Sequence, residues 1–233
     1  LIAPFSADNP YQEQLKKSIE GHGHTVSTTG DSAEMIFNSV LSDGVFDTIH
    51  LHWISSFIRG RNSCISLLRG LVFLSALFTL RLLGINIVWT IHNKTGHDSE
   101  VENMEKFIYK ILISRVIHHA IVHSEEAKSE VVSGYNIDSD KNKIKVVPHG
   151  SFIGYYENTV SREEARDHLG VEQDSFIYLF FGKVRPYKNI PKLIKDFKDL
   201  DPGHANLVIA GDPALTELQR EIQKKSKSDN RID

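Results

Sequence analysis

The chain has 233 residues, 40% hydrophobic and 24% charged, enough for one large or two small domains with a real core. Lys and Arg number 27 against 30 Asp and Glu, a formal charge of -3 without the basic excess of a nucleic-acid binder. The single cysteine, Cys64, excludes an internal disulfide framework and a cysteine-based zinc site within one chain, and it fits a reducing compartment.

The opening residues Leu1-Ile2-Ala3-Pro4 have the pattern of a buried strand end followed by a loop. Helices are expected over 11–20 and 33–41, then a strand over 48–51. The apolar stretch 65–83 follows, interrupted by Arg69 and Arg81, which leave about half of the roughly 20 residues a bilayer requires. It is expected to be a buried helix of the sheet layer, with shallow membrane or lipid contact as the rival and a true span excluded. Next come a strand over 85–90, a helix over 101–117, a strand over 120–122, a helix over 125–133 and a strand over 144–147. Ser124 before Glu125-Glu126 and Ser161 before Arg162-Glu163-Glu164 have N-cap chemistry, and Gly170 suits a helix end. After a polar stretch, the pattern continues with a helix over 162–169, a strand over 176–181, a helix over 190–200, a strand over 206–210 and a helix over 214–225. Several strands are almost continuously apolar, as parallel strands covered on both faces are. The reading is an α/β chain of two Rossmann-like, doubly wound parallel-sheet domains, over 1–160 and 161–233, the second incomplete. The chain is expected to be a fragment: it opens without an initiator Met, and 224–233 stand where the next strand would begin.

Histidines recur where first-domain strands end. His50 and His52 close the strand at 48–51, His92-Asn93 follow the strand at 85–90, and His123-Ser124 follow 120–122. His149-Gly150 follow 144–148. In an open parallel sheet these carboxyl ends share one edge, where ligands bind. Each histidine alone could simply cap backbone groups. A metal site is disfavoured, because converging ligands are not supplied by an HExxH helix and His50 and His52 share a face only if the strand stays regular. A polar cleft for a hydroxyl-rich ligand is the third reading. It takes His92 as the group nearest the chemistry, with Asn93, His97, Asp98, His123 and His149 as acceptor or cleft candidates.

The second domain opens on a phosphate-binding arrangement. Its first strand runs into Gly182-Lys183-Val184-Arg185-Pro186-Tyr187-Lys188-Asn189 and then an amphipathic helix. Gly182 permits close backbone approach, the helix N-terminus favours an anion, and Lys183 and Lys188 add charge. The pattern is neither a Walker A loop nor the dinucleotide fingerprint, and a solvated basic turn is the plain alternative. Gly211 and Asp212, after the next strand, form a second small-residue turn on the same edge.

The order NPY, TIHN, VPHG, FFGKVRPYKNIPKLIKDF and LVIAGDP resembles GT-B glycosyltransferases of the retaining type called group 1 or family 4. The resemblance covers nearly the whole chain and is most specific from Lys145 to Asp212. It implies an acceptor side on the first domain and a nucleotide-sugar side on the second, with Gly182, Lys183 and Lys188 at the donor diphosphate. Lys183 stands where Arg is commoner, which keeps the charge without the bidentate fork. An acidic Glu-x7-Glu motif is expected beyond Asp233, so the fragment alone is expected to be inactive. The function so implied is transfer of a mannose-like or glucose-like hexose from a nucleotide-diphosphate sugar to a glycan or lipid-linked acceptor. Retention at the anomeric carbon and no required metal or other cofactor are part of it. A cytoplasmic location with peripheral membrane contact is expected, and no nucleic-acid partner. The alternatives are a non-catalytic sugar-nucleotide-binding protein or a GT-B sugar-nucleotide epimerase that would use Asp98 or Glu100.

Overall fold

The apolar runs separate into two parallel sheets in a computed structural model, which describes residues 1–7, 9–44, 46–92, 102–137, 142–200, 202–213 and 215–233. Leu1–Tyr156 and Glu157–Asp233 are two distinct units.

In the first unit, five strands lie in the order β1 (Ile2–Ala3), β2 (Thr48–Leu51), β3 (Asn86–Thr90), β4 (His119–Val122) and β5 (Ile144–Val146), all parallel. Residues 27–29 extend the sheet beyond β1 through a bridge between Thr28 and Ile2. The chain therefore leaves β1 to one side, through α1 (Pro10–Gly21), and returns to the other side through α2 (Ala33–Asp43). This reversal at β1 is the topological switch point at which doubly wound sheets open a crevice. Ile49, Leu51, Ile87, Trp89, Ala120, Val122 and Ile144 are buried between flanking helices, which explains the near-continuous apolar strands.

The helices α3 (Ser55–Ile58), α4 (Ser63–Leu82), α5 (Glu102–Ile111) and α6 (Glu125–Tyr135) complete this unit. The expected single helix over 101–117 is broken: α5 passes into one π-helical turn, Leu112–Val116, where Ile117 N–H donates to Leu112 O at 2.9 Å. The wider turn buries Leu112, Ile113 and Val116 together against the core. The larger correction concerns α4. It was expected to be covered by the sheet layer, and one stripe is: Ser66, Gly70, Phe73, Leu77 and Leu80 recur at helical spacing and are buried. The opposite stripe is not. Leu68 is 63% exposed, Val72 53%, Phe78 47% and Leu82 72%. The uniformly apolar sequence concealed that α4 has only one packed face.

The second unit comprises α7 (Arg162–Leu169), β6 (Phe176–Phe181), α8 (Ile190–Leu200), β7 (Ala205–Ala210) and α9 (Thr216–Ser226). Ser161 and Glu164 form a reciprocal capping box, and Gly170 ends α7 at φ 65°. β6 and β7 are parallel in register from Phe176↔Ala205 to Phe181↔Ala210. Leu207 N–H donates to Arg231 O at 2.8 Å and Asp233 N–H to Leu207 O at 3.0 Å, so a third parallel strand starts where the alternation called for one. Ile190, Ile194 and Phe197 turn one face of α8 into the core. Both faces of β6 were expected to be covered; instead Phe176, Tyr178, Leu179 and Phe181 are exposed among the described residues.

Candidate functional site

Strand register explains why the histidines meet. Thr90 pairs with Ile121, so two residues further on His92 stands level with His123; Leu51 pairs with Trp89, which puts His52 level with Thr90. His52 keeps to the ladder, its N–H donating to Ala3 O at 2.9 Å. The strand is therefore regular, and His50 and His52 do share a face, their ring centroids 4.4 Å apart. His92 lies 5.4 Å from His123, and His123 lies 5.1 Å from His149. The strand-end histidines of the first unit thus form one continuous cluster.

Sequence reasoning missed what sits inside it. Tyr11 projects from the start of α1 into the cluster, with ring centroids 5.8, 5.1, 5.5 and 4.8 Å from those of His52, His92, His123 and His149. The entry of α1 fixes it there: Asn9 caps the helix by accepting from Tyr11 N–H at 3.1 Å, and Pro10 opens it. Buried Gln12 fastens the preceding loop, accepting from Ser6 N–H at 2.9 Å and donating to Pro4 O at 2.6 Å. The Tyr11 hydroxyl is hydrogen-bonded to Thr90, whose Oγ1 lies 2.8 Å from His50 Nε2. The ring of Trp53 lies flat on His92, 4.1 Å away with 10° between planes. Asn-Pro-Tyr was visible as a helix start, but nothing in its spacing placed the ring among histidines 40 to 140 residues away.

Burial favours the neutral form of three of these histidines, His50, His52 and His92. The pKa of His52 is pushed down to about 2, first by burial and then by His50, His92 and His123. That of His92 falls to about 3 by burial and then by His123, His149 and His50. His50 falls to about 4, chiefly through burial. His123 Nδ1 donates to Val147 O at 2.9 Å and His149 Nδ1 to Gly150 O at 2.7 Å, because a carbonyl only accepts. Beside the cluster, at the switch point, a cavity of about 400 Å³ is lined by Ser6, Asn9, Asp31, Trp53, Ser55 and Ser56 among others. Asn93, His97 and Asp98, and Glu100 of the epimerase alternative, lie outside the described residues.

In the second unit, β6 ends at Gly182, whose φ of +121° is a region that side chains rarely adopt. Gly182 N–H donates to Ala210 O at 2.9 Å and Val184 N–H to Asp212 O at 3.0 Å, so the two strand-end turns are bound together. A Cβ on Gly211 would stand 2.0 Å from Gly182 O; only glycine fits there. Pro186–Lys188 make one 3₁₀ turn, Asn189 turns left-handed at φ 53°, and α8 begins. This folds Lys188 back: its ammonium stands 5.3 Å from the Phe180 ring centroid and 3.6 Å from where a Gly182 Cβ would be. Gly182, Lys188, Gly211 and Asp212 are thereby brought together, and Lys183 is exposed on the same turn. Elsewhere, exposed Glu172, Asp174 and His204 have metal-ligand spacing among the described residues, with His204 Nε2 3.6 Å from Glu172 Oε2 and 3.2 Å from Asp174 Oδ1.

Two Rossmann-like parallel-sheet units in series, each carrying its polar groups on the carboxyl edge, make this a GT-B-type α/β protein. The family model for glycosyl transferases group 1 matches residues 161–232, so the second unit is similar to that family. The GDP-mannose:glycolipid 4-beta-D-mannosyltransferase of Xanthomonas campestris pv. campestris is 22% identical over 233 aligned residues, 98% of this chain and 57% of that protein. The D-inositol 3-phosphate glycosyltransferase of Streptomyces scabiei is 29% identical over 112 residues, 45% of this chain and 25% of that protein. The crystal structure of Anabaena Alr3699/HepE in complex with UDP-glucose matches with a TM-score of 0.63 at 17% identity, over 94% of this chain and 57% of that one. The chain thus spans little more than half the length even of the relative it matches end to end.

Proposed function

We propose that the full-length protein transfers a mannose-like or glucose-like hexose from a nucleotide-diphosphate sugar to a glycan or lipid-linked acceptor, with retention and without a required metal. The observation that carries this reading is the Gly182–Lys188 turn at the head of α8, inside the segment that matches the group 1 family. A diphosphate leaving group gathers negative charge as the glycosidic bond breaks. Lys188, Lys183 and the backbone amides at the start of α8 offset that charge where it develops. The first unit takes the acceptor: Trp53 gives the 400 Å³ cavity an apolar wall, and its serines, Asn9 and Asp31 supply hydroxyl partners. His92, beside Trp53, contacts the transferring sugar or orients the acceptor. A screen of nucleotide sugars with the full-length protein, following released nucleotide by mass spectrometry and the product's anomeric configuration by NMR, tests the reading. Nucleotide release with an inverted product removes retention alone. Donor binding without release makes the protein a sugar-nucleotide binder instead.

The exposed stripe of α4 supports peripheral contact with an anionic lipid surface on the cytoplasmic side. The 20-residue helix contains no Asp or Glu, exposes Leu68, Leu71, Val72, Phe78 and Leu82, and carries Arg69 on its exposed surface, with Arg61 exposed just before its start. A span is incompatible with its buried face, which belongs to the core. The relative named for a glycolipid acceptor agrees with such a location. Flotation of the full-length protein with phosphatidylglycerol-containing vesicles at low salt, lost in Leu68→Asp/Val72→Asp, is the expected result. Protein that stays at the bottom but forms concentration-dependent dimers would assign the stripe to a second copy.

A further inference from the structure

His52 does not reach the edge of the site, yet it touches the residue that does. Its side chain is 0% exposed, and its Nδ1 lies 3.0 Å from His92 Nε2. The geometry points to His52 as a positioning residue that sets the tautomer of His92, so that His92 faces its ligand as a neutral Nδ1–H donor and not as a base.

The argument is one of proton counting. Between two facing imidazole nitrogens, one must carry the proton and the other the lone pair. His52 Nε2 is buried with no hydrogen-bond partner among the described residues. If His52 carried its proton on Nε2, that orphan would be a buried, unsatisfied N–H, which folded proteins almost never tolerate; a bare lone pair is the lesser penalty. The proton therefore sits on His52 Nδ1 and is donated to His92 Nε2. With Nε2 accepting, neutral His92 keeps its own proton on Nδ1, the nitrogen left for a ligand among the described residues. Trp53, flat against the ring at 4.1 Å, covers one face of the imidazole.

The surroundings also withhold a second proton. Among the described residues, the groups facing His92 are His52 and His50 from β2, His123 from the end of β4, His149 after β5 and Tyr11 from α1. None is an anion, and a cation on His92 would be buried among imidazoles. The pKa depression of His92 to about 3 agrees with this. An Nδ1–H donor can bind a sugar hydroxyl or ring oxygen, but it cannot accept a proton from an acceptor hydroxyl. If His92 serves the transfer proposed above, it does so by orientation.

Histidine-labelled full-length protein, with His92 assigned by difference against His92→Gln, allows a test by ¹⁵N NMR that requires no turnover. The expected spectrum shows His92 protonated at Nδ1 and not titrating between about pH 5 and 8. His52→Asn, whose amide overlays the imidazole Nδ1 edge, keeps that tautomer, while His52→Leu loses it. A wild-type His92 protonated at Nε2, or a tautomer unchanged in His52→Leu, overturns the assignment. The kinetic arm rests on the transferase reading: His52→Leu lowers kcat about 10- to 100-fold with donor affinity unchanged, and His52→Asn restores most of it. Equal kcat in both variants and the wild type overturns the positioning role. Wild-type protein without transferase activity sinks the function reading alone, since the spectrum still decides the tautomer.

Discussion

Replacing Gly211 with alanine places a Cβ 2.0 Å from Gly182 O, 3.0 Å from the Gly182 carbonyl carbon and 3.3 Å from Val184 Cγ2. An ordinary carbon–oxygen contact needs about 3.3 Å, so the β6 and β7 ends must separate by roughly 1.3 Å. Two of the three neighbours are backbone atoms, and no rotamer change relieves them. The separation breaks the Gly182 N–H bond to Ala210 O, at about 1 kcal/mol. Overpacking adds about 1–3 kcal/mol. A loss of about 2–4 kcal/mol is therefore expected in urea unfolding followed by a probe in the second unit, with donor affinity reduced as Gly182 moves under Lys188. Gly182→Ala supplies the internal comparison. Its Cβ would meet only Lys188 Nζ at 3.6 Å, so the cost comes from φ +121° alone, about 1–2 kcal/mol. A Gly211→Ala protein within about 0.5 kcal/mol of wild type, or more stable than Gly182→Ala, would refute the close approach of the two turns.

Lys188→Ala is expected to weaken nucleotide-sugar binding by about 1.5–3 kcal/mol, the cost of a charge-assisted hydrogen bond to phosphate; calorimetry with an unchanged dissociation constant would contradict it. His92→Ala should lower turnover far more than it weakens nucleotide binding, because the residues proposed for the diphosphate, Lys183 and Lys188, belong to the other unit; wild-type turnover would reduce His92 to a packing residue. Acid should destabilise the first unit early. His50, His52 and His92 have folded pKa values of about 4, 2 and 3 against 6.5 for the free side chain. The unfolded chain therefore binds more protons from 6.5 downward to about 4, and stability present above 6.5 is lost across that window, by up to about 1.4 kcal/mol per pH unit per histidine. A denaturation midpoint flat between pH 6.5 and 5 would disprove the neutral cluster.

Much of the fold was legible because parallel strands covered by helices write themselves as short apolar β-branched runs between capped helices. Ser161, Glu164 and Gly170 announced α7 by local chemistry alone. The histidine edge was legible for the same local reason, since a strand end is a sequence position and parallel strands must align those ends. The rest depended on distances that no spacing encodes. Tyr11 lies early in the chain and reaches His149 only through the whole β1–β5 order. The hydrogen bond between His52 and His92 spans 40 residues and depends on the regularity of β2, which the sequence left open. The sidedness of α4 was hidden because its exposed and buried stripes have the same composition, so period-3.6 contrast vanishes. The left-handed turn at Asn189, which folds Lys188 over Gly182, likewise has no sequence signal beyond the asparagine itself.

The two units divide their chemistry by charge, and the division has a mechanistic sense under the transferase reading. The first unit presents His50, His52 and His92, whose burial favours the neutral imidazole, and the second presents ammonium groups on a turn that exposes Lys183 and folds Lys188 over Gly182. A diphosphate carries its charge before the glycosidic bond breaks as well as after. Under that reading, protonated histidines would draw a diphosphate that is already charged in the ground state, a pull that tightens donor binding more than it speeds transfer. On the same reading, protonated histidines would also form a rival site for a diphosphate. Neutral imidazoles avoid both effects. Their hydrogen bonds are directional and short-ranged, so they select hydroxyl geometry and leave the long-range field to the second unit. Under the transferase reading the burial of His52 is functional: a histidine whose pKa burial depresses, behind another depressed in the same way, leaves that edge without charge to attract phosphate.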